Sequence, residues 1–179
     1  MKRNILRAAV AASILGVSGV AFAADDAVVP FSGTVPDGCK LDPNTAIVPG
    51  VVALADSMAG RETDRITAHP NETTNGTIGQ FTYICSTGVD ANLTVNAPTA
   101  TGPSSTTLES AGTAGYAKGA EIYTEAAATN LIANSVGSIV ASNQAAGTYF
   151  VTMWVETPGI DIPGGSQYAY DVTINIADN

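Results

Sequence analysis

Apolar and polar residues alternate most regularly at the end of the chain. Tyr168, Tyr170, Val172, Ile174 and Ile176 occupy every second position, with Ala169, Asp171, Thr173 and Asn175 between them. That spacing predicts a strand with one face in a core and the other toward solvent. A second run, Thr148 to Glu156, places Tyr149, Val151, Met153 and Val155 on one face and Phe150, Thr152 and Trp154 on the other. Both faces are largely apolar, which predicts a central strand or one lying under a loop. Pro158-Gly159 and Pro163-Gly164-Gly165-Ser166 punctuate the return between the two runs.

Upstream, Phe81, Tyr83 and Cys85 share a face of Gly79 to Cys85, and Leu93, Val95 and Ala97 share one of Ala91 to Ala97. Weaker strand patterns cover Ala46 to Leu54, Tyr116 to Tyr123 and Leu131 to Ala141. Glu121 to Asn134 reads equally as a short helix, because Glu125-Ala126-Ala127-Ala128 are good helix formers. Pro98 to Gly115, rich in Thr, Ser and Gly, has little to bury and is expected to be an exposed loop. Many short strands without alternating helices predict an all-β chain, an antiparallel β-sandwich.

The first residues change the setting of that domain. Lys2, Arg3 and Arg7 precede an apolar run from Ala8 to Phe22, and Ala21-Phe22-Ala23 supplies a small-x-small cleavage pattern. Residues 1–23 therefore read as a signal peptide, with a single domain over 24–179. The apolar run is shorter than the ~20 residues of a spanning helix. No membrane insertion is expected once the leader is removed. The product is expected in the periplasm, at the cell surface or outside the cell.

Without the leader, four basic residues face sixteen acidic ones. Such a surface repels nucleic acid and anionic lipid, so neither is an expected partner. Cys39 and Cys85 are the only cysteines, and in an exported chain they most simply pair with each other. A loop of that length contributes roughly 4 kcal/mol in the chain-entropy view.

Little in the sequence points to chemistry. The single histidine, His69, reads as a solvated loop residue, and no nucleophile motif or phosphate loop accompanies it. No catalytic, cofactor or metal residues are assigned, and the chain is not expected to be an enzyme. Trp154, the only tryptophan, reads as core or as a flat ring for binding a glycan.

The opening Phe31-Ser32-Gly33-Thr34-Val35, followed by Cys39, resembles the start of type 1-like (chaperone–usher) pilus subunits. Cys85, closing Gln80-Phe81-Thr82-Tyr83-Ile84-Cys85, stands where that family's second cysteine does. The terminal strand is similar to the family's last strand, and also to spore coat protein U-like secreted domains. The resemblance covers both ends of the chain and the cysteine frame. It implies an immunoglobulin-like sandwich lacking one strand, which a neighbouring subunit's N-terminal extension completes by strand addition. Like subunits, other pilus or surface proteins and a periplasmic chaperone are the partners it implies.

Ala27, Val29, Phe31, Gly33 and Val35 share one face of an extended segment, which suits donation to a neighbour. It equally suits the protein's own first strand, the reading favoured for Phe31 to Val35. Residues 24–30 would then be the free extension. The leading expectation is a secreted structural or adhesive surface protein. The alternative is a stand-alone extracytoplasmic domain binding carbohydrate or another polymer.

Overall fold

The computed structural model of the protein describes residues 27–29, 31–34, 38–45, 47–56, 64–111, 116–163 and 166–179. The leader assigned to residues 1–23, together with Val35, lies outside them. In chain order the strands begin with β1 (Ala27–Val29), β2 (Phe31–Thr34), β3 (Cys39–Leu41), β4 (Gly50–Leu54), β5 (Arg65–Thr67) and β6 (Gly79–Cys85). They continue with β7 (Ala91–Val95), β8 (Thr99–Ala100), helix α1 (Pro103–Ala111), β9 (Ala117–Tyr123), β10 (Leu131–Asn134), β11 (Ala141–Gln144), β12 (Gly147–Glu156) and β13 (Tyr170–Asp178).

Two sheets make a β-sandwich. The first runs β1-β4-β5-β12-β6-β3, with β9 and β10 beyond the other edge of β12. Strand β12 is its hub. Its first half pairs with β6 and its last three residues with β5, along one edge, while Phe150 to Glu156 pair with β9 along the other. The second sheet runs β11-β7-β13-β2, with β8 also on β13. Among the described residues every pairing is antiparallel except β2 with β13, which is parallel.

Period-two burial follows the sequence pattern closely in the long strands. Tyr170, Val172, Ile174 and Ile176 of β13 are buried, and so are Tyr149, Val151, Met153 and Val155 of β12. Each large apolar side chain removed from water stabilises the fold by about 1.5–3 kcal/mol. Phe81, Tyr83 and Tyr149 stack at centroid separations of 5.4 to 6.4 Å, and the two tyrosine hydroxyls donate to the Ala145 carbonyl at 2.9 and 2.7 Å. This ring cluster ties β6 to the corner where β11 turns into β12.

Cys39 and Cys85 are disulfide-bonded cross-strand neighbours, with Cα atoms 4.0 Å apart. The backbone beside them is equally constrained. Gly38 has a φ of 117°, and an added Cβ there would run into the Asp178 carboxylate. Asp178 in turn accepts the Cys39 amide at 2.9 Å, joining the end of the second sheet to the first.

Three local expectations are corrected. Within 98–115, α1 replaces the exposed loop: Pro103 starts it, where a missing amide costs nothing. The Thr107 and Ser110 hydroxyls donate to carbonyls four residues back, and Leu108 and Ser105 are buried. Glu121 to Asn134 forms no helix; it is the end of β9, a turn and β10. The single strand expected from Leu131 to Ala141 is split by a turn over 135–138, after which the chain crosses to the second sheet.

Two stability measurements check this frame. Replacing both cysteines by serine should lower the unfolding free energy by about 2–5 kcal/mol in chemical denaturation. Gly38→Ala should cost about 1–3 kcal/mol with the disulfide still formed, because a left-handed backbone and the Asp178 contact both oppose a Cβ.

Candidate functional site

The extended N-terminal segment divides between the two sheets at Pro30. Ala27 and Val29 lie in β1, which pairs with Val52 to Gly50 of β4 at the edge of the first sheet. Phe31 and Gly33 lie in β2, which runs parallel to Val172–Asn175 along one edge of β13. The opposite edge of β13 is filled by β7 and β8. Both N-terminal strands are short, and among the described residues neither has a strand on its outer side. Among the described residues, four of the nine residues of β13 have a β2 partner, in the parallel pairing that is slightly weaker per residue. The site is thus a long acceptor strand carrying a brief edge partner.

Trp154 occupies the outer face of the first sheet, where it is half-buried. The Arg65 guanidinium lies over its ring, 4.6 Å from the centroid. Arg65 is itself buried and makes a fork to Glu72, with nitrogens 2.9 and 3.0 Å from the carboxylate oxygens. Its other terminal nitrogen bonds Glu156, two residues beyond Trp154. Gly119, paired with Trp154 across β9 and β12, leaves room for the ring; a Cβ there would stand 2.8 Å from Cε2. Arg65 therefore covers one face of the ring that a glycan platform would require. The chemistry here is that of a clamp, a desolvated cation between two carboxylates with an aromatic floor.

His69 also departs from its expected solvated setting. It is half-buried, its ring edge-on to Tyr123 at 5.7 Å, and its Nδ1 accepts the Asn71 amide at 3.2 Å. Tyr123 donates to Glu121 at 2.7 Å. Burial pushes the hydroxyls of Tyr83, Tyr116, Tyr123 and Tyr170 well above the ordinary tyrosine range, so they stay protonated; the first three act as donors, and the buried Tyr170 hydroxyl has no hydrogen-bond partner among the described residues. Among the described residues no three His, Cys, Asp or Glu side chains converge to hold a metal ion.

A cleft of about 330 Å³ lies beside α1, between Leu108 and Thr107 on the helix and Ile160, Pro163 and Tyr168 opposite. Its walls are mostly apolar, and the Tyr168 hydroxyl donates to the carbonyl of Pro163, also in the wall, at 3.0 Å.

No protein-family model matches the chain, and no curated protein matches it in sequence. Among the described residues no helix is long and apolar enough to cross a membrane.

Sequence reasoning overlooked Arg65, because its partners stand 7 and 91 positions away. The only available signal was that four basic residues follow the leader, one of them flanking the strand-like Ile66-Thr67. Arg65→Met keeps the stem but leaves Glu72 and Glu156 without their cation. It should cost about 2–4 kcal/mol, at the low end of the buried-pair range because Glu72 keeps 20 % of its side chain in water. Denaturant unfolding followed by Trp154 emission measures this, and the native emission should shift as the ring loses its cover.

Proposed function

We propose that this protein is an exported structural or adhesive surface protein that associates with like subunits by β-strand addition. One observation carries the reading: β13, nine residues long, is completed along one edge by a four-residue parallel strand from the chain's own N-terminal segment. A strand held only at an edge can be exchanged for the same strand of a neighbouring copy. The ladder contacts on β13 are then conserved, and the exchange costs little beyond association itself. The alternation in β13 gives the incoming strand a defined register, since a one-residue slip would invert its faces.

The likeness of Phe31-Ser32-Gly33-Thr34-Val35, Cys39 and the terminal strand to pilus subunits supports the same reading. So does the intramolecular disulfide, which suits an oxidising compartment. In this reading the acidic surface keeps free subunits apart, and the strand supplies the specific attraction. Glycan binding through Trp154 loses support from the Arg65 cover.

On an unboiled, non-reducing gel the protein should form a ladder of assemblies that collapses to monomer on heating. A body lacking residues 24–34 should not form the ladder, yet should capture a synthetic peptide of that sequence in trans. Monomer alone under all conditions, with no peptide capture, would count decisively against strand addition.

A further inference from the structure

The turn between β10 and β11 presents aliphatic side chains outward. Val136 is 65 % exposed, and Ile139 and Val140 are each 47 % exposed. These residues are held there by a tightly bonded backbone. Ser135 exchanges two hydrogen bonds with Ala120 of β9, both 2.9 Å, one of them through its hydroxyl. Asn134 and Ile139 exchange backbone bonds at 3.2 and 3.1 Å, and the Asn134 side chain accepts the Gly137 amide at 2.6 Å. An exposed apolar ridge on so fixed a turn is already ordered for contact, which lowers the entropic cost of binding.

Beside the ridge lies a groove of about 330 Å³ between the end of β7 and the turn, lined by Thr94, Asn96, Ser138, Ile139 and Val140 among others. No charged residue lines it. None occurs anywhere from Ala126 to Val155, in a chain with sixteen acidic and seven basic residues. The apolar surface also continues onto the first sheet, because Val136 and Trp154 both lie over Gly119.

We propose that this ridge and groove form a self-association surface, in which the turn of one copy seats in the groove of a second copy and reciprocally. Charge selects the partner. Two acidic bodies repel over most of their surfaces, and a neutral apolar face is where like copies approach with least electrostatic cost. A basic partner would gain more on the acidic faces, and a glycan seated on the polar groove residues would leave the aliphatic ridge of Val136, Ile139 and Val140 in water. Ridge beside groove is the self-complementary arrangement that a two-fold contact requires. The contact is independent of strand addition at β13, which lies in backbone pairing and not on this turn.

Sedimentation velocity on the purified protein over a dilution series tests it, with Val136→Glu and Val140→Glu as variants and Thr106→Glu on α1 as the distant control. The expected result is a dimer that dissociates on dilution and in unheated detergent, and that tightens with added salt as like-charge repulsion is screened. Both turn variants should weaken it at least about tenfold, and Thr106→Glu should leave it near the parent value. Should Val140→Glu fail to fold by circular dichroism, Val136→Glu, on the more exposed position, decides alone. A monomer at every concentration, a dimer that salt weakens, or turn variants that dimerise like the parent would overturn the proposal. Heat-labile ladders that persist in the turn variants would separate strand addition from this contact.

Discussion

Along both edges of β12 run backbone ladders: β6 and β5 end to end on one side, and β9 on the other. Its inward side chains meet Ile66, Phe81 and Ile122 in the core. Among the described residues no other strand of the first sheet joins so many of its members. Because the two-residue repeat of Tyr149, Val151, Met153 and Val155 sets one facing, a slip by one residue would turn Phe150, Thr152 and Trp154 toward the core in their place. The register of β12 therefore fixes where Trp154 and Glu156 emerge, and with them the Arg65 clamp on the outer face.

The second sheet depends on β13 in a corresponding way, but its edges are unequal. Strands β7 and β8 follow one edge closely, while among the described residues the other holds β2 alone. Asp178 and the disulfide-bearing strand β3 close the far end of the sandwich. The outcome is a body rigid at its stapled end whose one parallel pairing is a short edge strand. The strand exchange proposed between copies would use that inequality, and the second proposed contact would use the neutral turn over 135–138.

How far the sequence revealed this depends on the kind of interaction. Strands β6, β12 and β13 were legible because burial on one face imposes a period of two that no other structure imitates. Helix α1 was not, because the side chains it buries among the described residues are one leucine and one serine, Leu108 and Ser105, and the serine brings little apolar area. It serves as acceptor for the Ala169 amide at 2.7 Å. The split of Leu131 to Ala141 was signalled by Asn134-Ser135-Val136-Gly137-Ser138, turn formers at short spacing, but the intervening apolar residues obscured it. Those residues are exposed, which periodicity cannot distinguish from buried ones. The Arg65 clamp was invisible for a different reason: ion pairs between distant strands leave no local pattern. The N-terminal segment was read as serving either as the chain's own strand or as a donor. Phe31 to Thr34 pair as the chain's own strand β2, whereas Ala27 to Val29, expected within a free extension, pair with β4; the exchange proposed between copies would use the β2 backbone contacts.

The most direct test of that exchange uses the register pair Ser32 and Thr173. Ser32→Cys and Thr173→Cys are placed on separate populations of the protein, which are mixed under assembling conditions and oxidised. Strand addition predicts disulfide-linked chains carrying one of each variant, in yields that rise with assembly. A bond that forms only when both cysteines sit in the same chain, with none between mixed chains, would contradict the account.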